Sequence, residues 1–133
     1  MDRSFRVVIA DDDPGCRETL GELLDPHFAV FTVECGEQAV EFVEREPVDL
    51  LLCDMHMRLL SGLETILIVR QRVWVPAILI TSDRTDELQK RASQEAVPVL
   101  DKPVARSVLM ATICKSLRNV LAARDIAKLC SGN

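Results

Sequence analysis

Apolar runs alternate along the chain with stretches whose apolar residues recur at helical spacing, and this alternation repeats five times. The β-branched run at 6–10 (RVVIA) stops at a row of acids and predicts a first strand. Residues 13–24 then predict a helix, with Asp13 as N-cap, Pro14 in the first turn and Cys16, Leu20, Leu23 and Leu24 on one face. A second strand is predicted over 29–35. The helix after it, 36–46, turns Ala39, Val40 and Val43 inward and its acids outward. The third apolar run, 48–53, ends at Asp54, and a helix over 62–72 carries Leu63, Ile66, Leu67 and Arg70 on one face. A fourth strand over 76–80 ends at Thr81. Residues 85–94 contain helix formers but only Leu88 and Ala92 as apolar anchors, which predicts a weakly held helix. A short fifth strand, 97–100, precedes Lys102-Pro103. A long last helix runs from 104 to at least 123, striped by Leu109, Ile113, Leu117, Val120 and Leu121.

The first, third and fourth strands are apolar throughout, as strands covered on both faces must be. Five β-α units of this kind imply an α/β fold, a parallel sheet with helices on both sides. The 133 residues suit one domain, predicted over 1–123, with 124–133 as a C-terminal tail or the start of a linker. A chain of this size buries roughly two-thirds of its unfolded surface, enough for a real core. The net charge of −5 disfavours direct binding of nucleic acid, which calls for a basic surface. Cys16, Cys35, Cys53, Cys114 and Cys130 form no C-x-x-C pair, so neither a zinc site nor a redox motif is signalled. Unpaired cysteines among apolar residues suit a reduced, cytoplasmic compartment. No apolar stretch approaches the ~20 residues of a membrane helix, and no signal-peptide core follows the charged N-terminus.

Position makes the polar residues informative. Asp11, Asp12, Asp54, Thr81 and Lys102 each fall just past the C-terminal end of a predicted strand. In open α/β sheets that edge is where ligands bind. Singly, each residue reads as something plainer: a loop or cap acid, a turn residue, a capping threonine, a solvated lysine. Capping needs no convergence at four strand ends, so the set reads as a site. Carboxylates brought together repel unless a cation neutralises them, and hard oxygen ligands with room for water suit Mg²⁺. A metal, a lysine and a hydroxyl around one carboxylate describe a phosphoryl site, and a carboxylate can itself accept the phosphoryl group.

VVIADDDP (7–14), LLLCDMHM (50–57) with Gly62, PAILITS (76–82) and LDKP (100–103) together resemble the receiver domain of bacterial two-component response regulators. The resemblance spans about Phe5 to Leu121 and has all four motifs in family order. It implies a flavodoxin-like, doubly wound five-stranded sheet of order 2-1-3-4-5. It implies Asp54 as phospho-acceptor and Asp11 and Asp12 as the acidic pair, with Asp12 the direct Mg²⁺ ligand and Asp11 acting more through water. The His56 backbone carbonyl would complete the metal ligands beside Asp54. Thr81 would supply the switch hydroxyl, Lys102 the phosphate-pairing lysine, and the Lys102–Pro103 bond would be cis. A histidine kinase or histidine phosphotransfer protein would be the donor. The output would lie in an effector domain C-terminal to Asn133 or in a separate partner. The domain would phosphorylate and dephosphorylate itself but turn over no metabolite.

Three departures from the family pattern stand out. Arg58 follows Met57 where the family usually has proline. Val99 stands three residues before the lysine, where an aromatic often serves as a reporter. Gln94-Glu95-Ala96-Val97-Pro98 replaces the usual Gly-Ala, which predicts an irregular corner. The His56 side chain has no family role and reads as a solvent-edge residue, able with Asp83 to influence water near Asp54. His27 reads as a loop residue and Trp74 as loop packing. The stripe of the last helix reads as core cover in its first half, with a docking or homodimer face as the alternative beyond it.

Two other functions compete for the same residues. A haloacid-dehalogenase-like phosphatase would use Asp11-x-Asp13, Thr81 and Lys102. It lacks the expected Thr or Val at Gly15 and an acidic pair after the lysine, and it leaves Asp54 idle. A phosphorylation-independent protein-binding module on the same scaffold is opposed by the intact acids and left open by the missing proline after Met57 and the missing aromatic at Val99. A dinucleotide site is excluded by the missing G-x-G-x-x-G after the first strand.

Overall fold

The computed structural model describes residues 5–130, with side chains to Asn119. Five strands form one parallel sheet: β1 (Arg6–Ala10), β2 (Ala29–Val33), β3 (Leu50–Asp54), β4 (Ala77–Thr81) and β5 (Val99–Asp101). Their order is β2-β1-β3-β4-β5. The intervening helices are α1 (Pro14–Leu24), α2 (Gly36–Arg45), α3 (Gly62–Arg72), α4 (Asp86–Gln94) and α5 (Arg106–Cys130). The α/β expectation and the strand order are met.

Alternation along each strand divides the core in two. Val8, Ala10, Leu51, Cys53, Ala77 and Leu79 face one side, where α2, α3 and α4 close over them with Ala39, Leu63, Ile66, Val69, Leu88 and Ala92. Val7, Ile9, Leu50, Leu52, Ile78 and Ile80 face the other, under Leu20 and Leu24 of α1 and Leu109, Ile113 and Leu117 of α5. This two-sided burial explains why β1, β3 and β4 read as unbroken apolar runs.

The differences from expectation lie at element ends. β2 stops at Val33 because the Glu34 N–H turns to the Gln38 side chain, 2.8 Å away, and Cys35 becomes the N-cap of α2. β4 starts after Pro76, which has no N–H to give a ladder. β5 likewise starts after Pro98 and is only 3 residues long. Asp54 and Thr81 are the last residues of their strands, not the first beyond them. Asp13 occupies the N-cap of α1 without a side-chain cap bond. On α3 the inward face includes Thr65 and Val69 beside Leu63 and Ile66. Trp74 is not loop packing: it is 62% exposed, with the Arg70 guanidinium 5.0 Å above its ring. His27 Nε2 lies 3.0 Å from the Arg106 guanidinium, tying the β2 approach to α5. α5 begins at Arg106 rather than Val104, and its backbone stays helical to Cys130. The side chains of Val120, Leu121 and Cys130 lie outside the described residues.

The corner before β5 is irregular, as the missing Gly-Ala predicts. Ala96 follows the α4 C-cap at φ 56°. The Val97 N–H bonds the Ala92 carbonyl (2.9 Å) and the Ala96 N–H the Ser93 carbonyl (3.1 Å), the paired bonds of a Schellman ending.

Candidate functional site

Parallel strands diverge to opposite sides between β1 and β3, and the crevice at their C-terminal ends is the topological switch point. β1 delivers Asp11 and Asp12 there, and β3 delivers Asp54. One carboxylate oxygen from each lies within 4.8 Å of the others. Asp11 is fully buried and Asp54 nearly so, while Asp12 is half-buried at the mouth. Asp13 is exposed and stands outside this triad, which removes the Asp11-x-Asp13 pairing a dehalogenase-like site requires.

Lys102 reaches in from the end of β5. Its Nζ lies 3.0 Å from Asp54 Oδ1 and 3.4 Å from Asp11 Oδ2. The Lys102–Pro103 peptide is cis, and the Lys102 N–H bonds the Thr81 carbonyl at 2.9 Å. Burial alone would lower the Lys102 pKa. The hydrogen bond and charge of Asp54, with the charge of Asp11, outweigh burial and hold it above the ordinary value. Asp11 moves the same way for a different reason. Burial raises its pKa and the Asp54 charge adds to this, against the lowering effects of the Asp13 N–H and Lys102. That N–H donates to Asp11 Oδ1 at 2.9 Å, and Arg17 donates to the Asp11 carbonyl at 2.8 Å. Backbone and side chain of Asp11 are thus both held.

The loop after Asp54 is pinned at both ends. The Met55 N–H bonds the Ile80 carbonyl (2.7 Å), and the Gly62 N–H bonds the Met55 carbonyl (2.9 Å). A Cβ on Gly62 would stand 2.4 Å from the Asp54 carbonyl oxygen, so only glycine lets α3 begin this close to the end of β3. Between those pins Arg58 occupies the position of the missing proline. Leu59 next to it takes φ 68° with its side chain 87% exposed.

Thr81 is fully buried at the end of β4, on the far side of Asp54 from the acidic pair. Its hydroxyl accepts the Asp83 N–H at 3.0 Å and lies 3.1 Å from His56 Nε2. The His56 side chain is exposed at the solvent edge, as expected, but it is not idle there. A second arrangement had no sequence signal, since an arginine in a polar loop looks solvated. Arg84 forks onto Asp101 (3.0 and 3.1 Å) and donates to the Val99 carbonyl at 2.5 Å. It thereby joins the loop after Thr81 to the strand that carries Lys102.

The switch-point crevice, buried acids and inserted lysine define a class: an α/β protein with an acidic, cation-ready pocket at the strand ends. The family model described as the response regulator receiver domain matches residues 7–114. The chain belongs to this family. It is 34% identical over 116 residues to the transcriptional regulatory protein CpxR of Escherichia coli, covering 85% of this chain and 49% of CpxR. It is 29% identical over 122 residues to the transcriptional regulatory protein GlrR of Escherichia coli, covering 90% of this chain and 28% of GlrR. Across the first relatives the chain spans about half their length or less. Among solved structures, the chemotaxis protein CheY4 of Vibrio cholerae superposes with a TM-score of 0.79 at 22% identity, covering 85% of this chain and 98% of that one. At that identity the likeness speaks for the fold. The chain is a receiver domain, whose general function is phosphorylation on an aspartate.

Proposed function

We propose that Asp54 is the phospho-acceptor and that a histidine kinase or histidine phosphotransfer protein is its donor. The observation that carries this reading is the Lys102 ammonium 3.0 Å from Asp54 Oδ1 in a buried acidic crevice. A carboxylate placed there is faced by a cation able to take up phosphoryl charge.

The pocket suits Mg²⁺. Its donors are all hard oxygens, three carboxylates stand within 4.8 Å, and Lys102 alone does not neutralise them. Asp12 and Asp54 would hold the ion directly with the His56 carbonyl, and Asp11 would act more through water. When bound, Mg²⁺ would neutralise the acids and stabilise charge on phosphoryl oxygens. The chain's own groups do the rest. Asp54 supplies the nucleophilic oxygen. Asp11, fixed through Asp13 and Arg17, orients the mouth. Lys102, held protonated, pairs with a phosphoryl oxygen once Asp54 is modified, and the Thr81 hydroxyl closes on another. That closure shifts a two-state equilibrium at the surface around β4 and β5. The domain catalyses its own phosphorylation and slow hydrolysis and turns over no external metabolite.

On this reading the receiver unit is 1–123 and 124–133 is its tail or the start of a linker. An effector domain beyond Asn133, or a separate partner, carries the output. A cytoplasmic setting accords with the free Cys16, Cys35, Cys53 and Cys114, and no helix among the described residues is long and apolar enough to cross a membrane. The test is intact mass after incubation with acetyl phosphate, with and without Mg²⁺. One phosphoryl addition is expected in wild type with Mg²⁺ and none in Asp54→Asn. Full labelling of Asp54→Asn would sink the assignment.

A further inference from the structure

We propose that His56 is a positioning residue for the Thr81 hydroxyl: its imidazole accepts the hydroxyl's hydrogen bond and must be displaced before Thr81 can close on a phosphoryl group. This rests on Asp54 being the phospho-acceptor. The argument is one of hydrogen-bond capacity. A threonine hydroxyl has one proton and two lone pairs. The Asp83 N–H, 3.0 Å away, occupies one lone pair. Among the described residues, the other polar atom bonded to Thr81 Oγ1 is His56 Nε2 at 3.1 Å. Thr81 is fully buried, and buried polar groups are paired. On this assignment the hydroxyl donates to Nε2, which calls for the Nδ1–H tautomer of His56.

The consequence follows from position. His56 stands two residues past Asp54 on the pinned loop, and Thr81 ends the neighbouring strand. Any phosphoryl oxygen on Asp54 would call on the same hydroxyl hydrogen bond that His56 accepts. One net hydrogen bond is worth about 1 kcal/mol, roughly fivefold in an equilibrium. Wild type should thus close less readily, by about that factor, than a variant without the imidazole.

Two measurements on the full chain test this. In the unmodified protein, ¹⁵N NMR of the His56 ring should show the Nδ1–H tautomer predominating. Thr81→Val should shift it toward Nε2–H. A tautomer balance indifferent to Thr81→Val overturns the proposal. The second measurement is the affinity for beryllofluoride, a phosphoryl mimic, with Mg²⁺ present. His56→Ala should bind it roughly fivefold tighter in the wild-type background and show no gain in the Thr81→Val background. An equal gain in both backgrounds would mean that His56 acts through bulk or water access and would also overturn it. Should wild type fail to bind beryllofluoride at all, the phospho-acceptor reading of Asp54 falls and closure with it. The tautomer result then decides only whether His56 holds Thr81.

Discussion

Asp11 carries its charge where water does not reach, beside a second carboxylate and the Lys102 ammonium. Its pKa is raised, chiefly by burial, so the folded chain binds a proton there more readily than the unfolded chain does. The sign of the linkage is then fixed: this residue's penalty is full above its folded pKa and fades as pH falls through that value toward the ordinary 3.8. Asp11→Asn should accordingly melt a few degrees above wild type at neutral pH in EDTA, and the gap should close as the pH falls into the carboxylate range. Thermal scans across pH check this. A variant less stable than wild type at neutral pH would show that the bonds from Asp13 and Lys102 outweigh burial. The next residue pair on β3 shows the other use of burial. Cys53, at the centre of the sheet, is pushed far up by desolvation, with the Asp54 charge adding to it. Thiols react as thiolates, so Cys53 should resist a thiol reagent in the native protein while Cys35 and Cys114, both partly exposed, react, and Cys16, partly exposed but pushed up by its bond to Asp13, reacts more slowly than they do. Counting labelled thiols by mass before and after denaturation tests it; early labelling of Cys53 would contradict it.

Two turns hold non-glycine residues in left-handed backbone. Ala96 ends α4 at φ 56°, where the Schellman geometry favours glycine, and Leu59 takes φ 68° in the loop that lacks its proline. The left-handed region costs an L-residue roughly 1–2 kcal/mol, partly offset because glycine loses more freedom on folding. Ala96→Gly should therefore stabilise by about 0.5–1 kcal/mol in urea melts, and Leu59→Gly by a similar amount. Leu59 has no burial to lose, being 87% exposed. Destabilisation by either would mean the side chain contributes more than its backbone costs. α4, which has only Leu88 and Ala92 to anchor it, is secured at its other end by the Thr85 side chain on the Leu88 N–H at 3.0 Å. Its C-terminal strain matters more for that reason.

The molecule as a whole is a sheet with two separate cores, and β3 is the layer both depend on. Every residue of β3 is buried, Leu50 and Leu52 toward α1 and α5, Leu51 and Cys53 toward α2, α3 and α4. Leu52→Ala should cost about 2–5 kcal/mol, the range for a large-to-small change in a packed core. Asp54 sits two residues on, so the same variant should also slow Asp54 phosphorylation. Urea melts and labelling rates read the two effects separately, and a loss below about 1 kcal/mol would mean this core is loosely packed.

Much of this was legible in one dimension. Apolar periodicity set five strands and five helices, since two-sided burial leaves unbroken runs at β1, β3 and β4 and one-sided burial leaves stripes on α1 and α5. The acids, Thr81 and Lys102 were legible because each stands where an apolar run stops. Strand ends were not, because they depend on where an N–H finds its partner: Glu34 turning to Gln38, Pro76 and Pro98 having none to give. Nor were the contacts of His56 with Thr81 and of Arg84 with Asp101, which join residues 25 and 17 apart in sequence. Sequence spacing determines which face of an element a residue occupies; the packing of strand against strand decides which side chains share a hydroxyl or a carboxylate, and that is set only when the chain has folded.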